Sequence, residues 1–104
     1  MAKTQFSITM EYRSAIARAD DLDDYVTDLG EQKERLLECR NGIAENWKAD
    51  SANSYLQKMD LRIEELSRLI TNVQNVAATV RSVAENTYRA ETEALQLAQQ
   101  RLLY

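Results

Sequence analysis

The sequence predicts an all-α fold, namely an antiparallel helix-turn-helix hairpin that dimerises into a four-helix bundle. Helix breakers are scarce, since the 104 residues include no proline and only two glycines. Apolar residues recur at helical spacing over two long stretches, which is typical of helices that pack along one face. A short polar stretch around the single tryptophan, Trp47, separates the two patterns. Because this break is short, the helices must fold back on each other.

Helix one is expected over about residues 8–45. Gly30 costs about 1 kcal/mol relative to alanine inside a helix, but the apolar pattern crosses it without a change of phase, so we predict one unbroken helix. The stems of Lys33 and Arg40 are expected to cover apolar surface while their charges reach water. The seam consists of two interleaved rows at intervals of seven, Ile8, Ala15, Leu22, Leu29, Leu36 and Ile43, and Tyr12, Ala19, Val26, Lys33, Arg40 and Trp47.

The turn is expected at about residues 46–50, and helix two at about 51–87. Asp50, Ser51 or Asn53 can cap helix two, because short polar side chains accept bonds from free backbone N–H groups. The apolar phase slips by one residue after Ala84, which predicts a separate or looser C-terminal segment over 88–104. The ladder of helix two comprises Leu56, Met59, Ile63, Leu66, Ile70, Val73, Ala77, Val80 and Ala84, and a parallel row adds Tyr55, Leu69, Val76 and Val83.

The apolar face of helix two is too broad for one partner helix to cover. Residues 69–80 contain no charged side chain. Two hairpins that form a four-helix bundle would bury this surface, with either a second copy or a related chain as the partner. The predicted partner interface consists of Leu66, Leu69, Ile70, Val73, Val76 and Val80.

The composition offers no residues for catalysis. Histidine is absent, which removes the usual general base and metal ligand, and Cys39 is the only cysteine. Cys39 lies beside the seam and is interpreted as a half-buried, inert thiol. The acidic cluster around Asp20–Asp28 lacks the alternation and turn glycine of a calcium loop, so a solvated face is expected. We predict a non-enzymatic protein with no catalytic residue, no cofactor and no metal.

Charge and hydropathy exclude two further classes of partner. The net charge is −4, with 13 basic and 17 acidic residues, which argues against nucleic-acid binding and against binding to anionic membranes. No stretch approaches the roughly 20 apolar residues that membrane insertion requires. The N-terminus lacks the apolar run of a secretory signal peptide, so any export is expected to use another route.

The break and its flanks resemble the WXG (ESAT-like) family of small proteins exported by type VII secretion systems. The matching residues are Trp47-Lys48-Ala49, with Ala49 at the glycine position, followed on helix two by a small residue, Ala52, and then an aromatic residue, Tyr55. The resemblance implies a helical hairpin that dimerises with itself or with a related chain. It also implies a C-terminal export signal of a tyrosine followed by an acid four residues later. The best candidate is Tyr88 with Glu91, three residues on; residues three and four apart share a helix face.

Three functions follow as hypotheses. The first is a type VII secretion substrate or export partner, cytoplasmic before export and then secreted or held at the cell surface, with the secretion ATPase as a further partner. The second is a targeting adaptor that binds the helical leader of a large secreted toxin. The third is a structural coiled-coil protein unrelated to secretion, in which Trp47 is only a large core side chain.

Overall fold

The computed structural model describes residues 3–47 and 49–103, so Met1, Ala2, Lys48 and Tyr104 lie outside the described residues. Helix α1 spans Gln5–Asn46 and helix α2 spans Asp50–Leu103, and the two pack against each other. No β-strand occurs within the described ranges. The predicted all-α helical hairpin is therefore confirmed.

Helix α1 begins three residues before its expected start because Thr4 and Ser7 cap it. The Ser7 backbone N–H donates to Thr4 Oγ1 at 3.2 Å, and the Thr4 N–H donates to Ser7 Oγ at 3.2 Å. The Ile8 N–H donates to the Thr4 carbonyl at 3.0 Å, which places Thr4 at the N-cap. This reciprocal exchange resembles a capping box, with serine in the usual place of glutamate. The helix then continues without a break through Gly30, as predicted.

The connection between the helices is residues 47–49. The Trp47 N–H still donates to the Ile43 carbonyl at 2.9 Å, and the Asn46 side chain donates to the Gly42 carbonyl at 2.8 Å. The Ala49 carbonyl accepts bonds from Ala52 and Asn53 at 2.9 and 3.3 Å. Ala49 is thus the N-cap of α2, and the prediction of Asp50, Ser51 or Asn53 as the cap is wrong. Asp50 instead occupies the first turn of α2, where its negative charge complements the helix dipole.

Helix α2 continues without a break through Leu103, so the predicted C-terminal segment over 88–104 is not a separate helix, whereas the exposure of residues 96–102 agrees with the alternative of a looser segment. Tyr88, Glu91 and Leu95 are half-buried and extend the spacing of Val80 and Ala84. The phase slip is therefore a stutter, two successive steps of four in a seam that otherwise alternates three and four. A helix accommodates a stutter by a local change of supercoiling, which does not require it to end.

The chain divides into two compact units. The terminal unit combines residues up to Leu22 with residues from Asn75 onward, and the turn unit consists of residues 23–74. Within the turn unit, Arg40 Nε donates to Asp60 Oδ1 at 2.9 Å across the two helices, and this hydrogen bond raises the pKa of Arg40 above its ordinary value. Arg40 and Lys33 are half-buried, in agreement with the predicted packing of their stems.

Among the described residues, four of the seven buried side chains are alanine. In the terminal unit the buried side chains are Ile8, Ala19, Ala77 and Ala84, and in the turn unit Leu29, Ala52 and Met59. All seven belong to the predicted seam or to the small residue expected after the tryptophan motif. The predicted seam is therefore confirmed in each unit, except at Trp47.

Candidate recognition surfaces

An aromatic pair lies at the turn, within the turn unit. The Trp47 and Tyr55 ring centroids are 6.5 Å apart, with the rings inclined at 47°, which is within the range of a favourable aromatic contact. Trp47 is 46% exposed and Tyr55 is 56% exposed. The interpretation of Trp47 as a buried core side chain is wrong for the single chain, because the end of α1 places no second layer over its ring.

The backbone around this pair requires no glycine. No residue other than glycine has a positive φ within the described ranges, and Ala49 accepts the first hydrogen bonds of α2. Since only a left-handed conformation favours glycine there, alanine at position 49 is compatible with this turn. Ala52, one helical turn before Tyr55, is only 1% exposed, because it lies where the two helices meet.

The second surface surrounds Tyr88 and Glu91, within the terminal unit. The Tyr88 ring lies 5.0 Å from the ring of Tyr12, centroid to centroid, at an angle of 44°. Lys3 Nζ donates to Glu91 Oε1 at 3.0 Å and to Glu11 Oε2 at 2.8 Å. The hydrogen bonds to Glu11 and then Glu91 raise the pKa of Lys3 above its ordinary value. One ammonium thus joins two carboxylates on different helices.

Two buried polar atoms beside this cluster have no hydrogen-bond partner among the described residues. They are Glu91 Oε2 and Thr92 Oγ1. A buried acceptor without a donor is costly, because it loses its hydrogen bonds to water and gains none in return. The packing of α2 around residues 91–92 is therefore less favourable than that of the seam around Ala77 and Ala84.

An open apolar groove of about 370 Å³ follows the same side of the terminal unit. Carboxylates of Glu11 and Glu91 lie among its lining residues, and Tyr88 closes one side. The remaining lining residues are Ile8, Tyr12, Ala15, Thr79, Val80, Val83, Ala84 and Thr87. The lining is mostly apolar, with Glu11 and Glu91 as its charged members.

The six residues of the predicted partner interface fall into two groups. Leu69 in the turn unit and Val76 in the terminal unit are 41% and 52% exposed. The others, Leu66, Ile70, Val73 and Val80, are half-buried. Val83, which the predicted interface omits, is 58% exposed and lies on the same row of α2 as Val76, seven residues before it.

The remaining candidates are the cysteine and the acidic cluster of α1. Cys39 is exposed, so the prediction of a half-buried thiol is wrong. Asp20 accepts a hydrogen bond from Arg81 Nη2 at 2.7 Å in the terminal unit. Across residues 3–47 and 49–103, no group of three or more cysteine or acidic side chains is placed to hold a metal ion. Neither helix, over its described length, combines the length and apolar character needed to cross a membrane.

The neighbours of Tyr88 and Glu91 in the structure were not predicted from the sequence. They are Lys3, Glu11 and Tyr12. The signal that could have found them is the register of the hairpin. A turn at residues 47–49 brings residue 12 opposite the region of residues 85–88, so the two tyrosines are expected to meet. Comparisons with protein-family models, with curated proteins and with solved structures gave no match to this chain.

Proposed function

We propose that this protein is a non-enzymatic type VII secretion substrate or export partner that acts as a dimeric helical hairpin. It is cytoplasmic before export and is then secreted or held at the cell surface. Trp47 and Tyr55 form the recognition element at the turn, and Tyr88 with Glu91 forms the tail determinant. The observation that carries the proposal is the exposed aromatic pair at the turn.

The exposure of Trp47 and Tyr55 favours a recognition role over a purely structural one. A tryptophan that only stabilised the hairpin would be buried between the helices, where its large surface contributes most. Here about half of each side chain is accessible. Exposed tryptophan and tyrosine are the residue types that most often dominate binding energy at protein interfaces. The pair is therefore better explained by a partner than by the stability of the chain itself.

The accessible surface of the chain supports the proposal of a dimer. The chain exposes 8100 Å², whereas a compact monomer of 11.9 kDa is expected to expose roughly 6,000 Å². Leu69 in the turn unit and Val76 and Val83 in the terminal unit are apolar and between 41% and 58% exposed. A second hairpin against α2 would remove these side chains from water, which is favourable.

Export in a bacterium that carries a type VII secretion system tests the proposal. The secreted fraction of the full chain is measured in the parent strain and in a strain without the secretion ATPase. We expect ATPase-dependent export of the wild type and at least a tenfold loss in the double variant Trp47→Ala/Tyr55→Ala. Tyr25→Ala is the matched control, because Tyr25 is a tyrosine of the same unit with 48% exposure and lies away from the turn.

Helicity by circular dichroism shows that each variant folds before export is compared. Equal export of the double variant and of Tyr25→Ala would refute the role of the turn pair. Export that does not need the ATPase, or no export of the wild type, would refute the secretion proposal itself. Loss of export in Tyr25→Ala as well would mean that the assay reports stability, and this too would count against a specific role for the turn pair.

The second candidate function is a targeting adaptor for the helical leader of a larger toxin. Its supporting observation is the charge of −4, since two copies repel each other and a less acidic related helix pair would not. Mass measurement of the purified chain separates the two. A stable species of twice 11.9 kDa favours the self-dimer, whereas a monomer or aggregate that becomes soluble on co-expression with the leader favours the adaptor.

A further inference from the structure

The beginning of α1 and the residue pair Tyr88 and Glu91 are in direct contact within the terminal unit. One face of the Tyr88 ring lies against Tyr12, at 5.0 Å between centroids. Glu91 Oε1 accepts a hydrogen bond from Lys3 at 3.0 Å, and Glu91 Oε2 is buried. Both groups that would identify this segment to a receptor, the aromatic ring and the carboxylate, are therefore occupied by the chain itself.

Accessibility distinguishes this cluster from the aromatic pair at the turn. Tyr88 is half-buried, whereas Tyr25 and Tyr55 are 48% and 56% exposed. The Glu91 side chain is 25% exposed, whereas that of Glu11, which forms an ion pair with the same lysine, is 57% exposed. A receptor that binds the ring and the acid together must first displace Tyr12 and Lys3.

From these contacts we infer that Lys3 and the beginning of α1 mask the tail determinant, with Tyr12 covering Tyr88 and Lys3 holding Glu91, so that the free chain withholds both residues from a receptor. This inference rests on the proposed function for the identity of the determinant. The masking contacts themselves are independent of secretion and can be measured on the purified protein.

Lys3 is the residue on which the mask depends. Its single ammonium lies between the carboxylates of Glu11 and Glu91, which are on different helices. Without it, two like charges face each other across the helix pair and repel. The unpartnered Glu91 Oε2 adds to the tendency to open, because opening returns this oxygen to water. Loss of the Lys3 charge is therefore expected to weaken the contact between Glu91 and the beginning of the chain.

Amide hydrogen–deuterium exchange of the full chain tests the mask directly. In Lys3→Ala/Tyr12→Ala we expect exchange over residues 85–95 to become about tenfold faster, since both contacts that hold this segment are lost. The matched control is Lys58→Ala/Tyr25→Ala, which removes one exposed lysine and one exposed tyrosine from the turn unit. The control is expected to leave residues 85–95 unchanged. Equal exchange in both double variants would overturn the inference.

The single variant Lys3→Gln keeps most of the side chain and a hydrogen-bond donor while it removes the charge, and it therefore disturbs the fold less than the double variant. We expect an intermediate acceleration over residues 85–95 with unchanged helicity. Exchange that rises along the whole of both helices would indicate loss of packing rather than unmasking, and would overturn the inference. Acceleration confined to residues 85–95 and the facing part of α1 supports it.

Export then shows whether the mask regulates the proposed determinant. If it does, Lys3→Gln increases the ATPase-dependent secreted fraction at equal expression, and adding Tyr88→Ala abolishes the increase. Faster exchange without any change in export would overturn the regulatory role of the mask. It would not affect the conclusion drawn from export of the wild type. Absence of wild-type export would refute the proposed function, while the exchange data alone would still decide whether α1 covers Tyr88 and Glu91.

Discussion

Replacement of Gly30 and Gly42 by alanine should stabilise the protein. Both glycines lie inside α1 with φ angles outside the left-handed region, and a Cβ built at either position meets no heavy atom within 4 Å. Alanine therefore fits without strain and reduces the conformational freedom of the unfolded chain. Each substitution should raise the free energy of unfolding by about 0.5 to 1 kcal/mol.

The two effects should add, because about 18 Å of helix separates the sites. The double variant should gain about 1 to 2 kcal/mol, equivalent to a Tm increase of about 4 to 16 °C for a domain of this size. Urea and thermal unfolding followed by circular dichroism measure both quantities. Protein concentration is held constant, because self-association also shifts apparent stability.

Ala17→Gly is the reverse control, since Ala17 is an exposed residue of α1. It should lower the free energy of unfolding by about the same 0.5 to 1 kcal/mol. If Ala17→Gly destabilises while Gly30→Ala has no effect or destabilises, then α1 is not a continuous, unstrained helix at Gly30. That result would refute the reasoning from both the heptad pattern and the structure.

Three further experiments test the burial that the structure assigns. Trp47→Ala should lower the free energy of unfolding by about 1 kcal/mol in urea titrations. Truncation of a fully buried tryptophan typically costs roughly 3 to 5 kcal/mol, so a loss in that higher range would contradict the exposed position. Ala77→Leu should cost about 1 to 3 kcal/mol by overpacking, because Ala77 is 0% exposed, whereas Ala17→Leu should be nearly neutral; equal effects would contradict the seam. Cys39 should react with a thiol reagent in the folded protein about as fast as in urea, because it is exposed, and slow labelling that urea accelerates would support the original expectation of a half-buried thiol.

The seam of each helix could be predicted because burial follows a regular period within a helix. Ile8, Ala19 and Leu29 recur at helical spacing on α1, and all are buried. On α2, Met59 and Ala77 are buried as the ladder predicts. The spacing of the apolar residues determines which side chains share a helix face. Because the chain contains no proline, no residue of that type interrupts either helix. The fold class therefore follows from local information alone.

The environment of Trp47 could not be predicted in the same way, because it depends on what lies opposite. Trp47 falls on the seam row one residue after α1 ends at Asn46. Helix α2 is only beginning at that point, so among the described residues Tyr55 provides the ring that contacts Trp47. The row that buries Ala19 and half-buries Arg40 thus exposes Trp47, although the spacing is identical. Periodicity predicts on which side of a helix a side chain lies, but the side chain is buried only if another helix packs against that side.

The continuity of α2 also explains why the candidate export signal, predicted to lie in a separate or looser segment, instead lies in the packed helix pair. The slip after Ala84 was interpreted as the end of the seam, since a strict heptad stops there. The helix continues because a stutter costs only a local change of supercoiling, whereas ending the helix would leave carbonyl groups without partners. Once α2 continues, the antiparallel register brings Tyr88 to Tyr12. The residues of the proposed tail determinant therefore lie against the start of α1, so their accessibility depends on the packing of both helices.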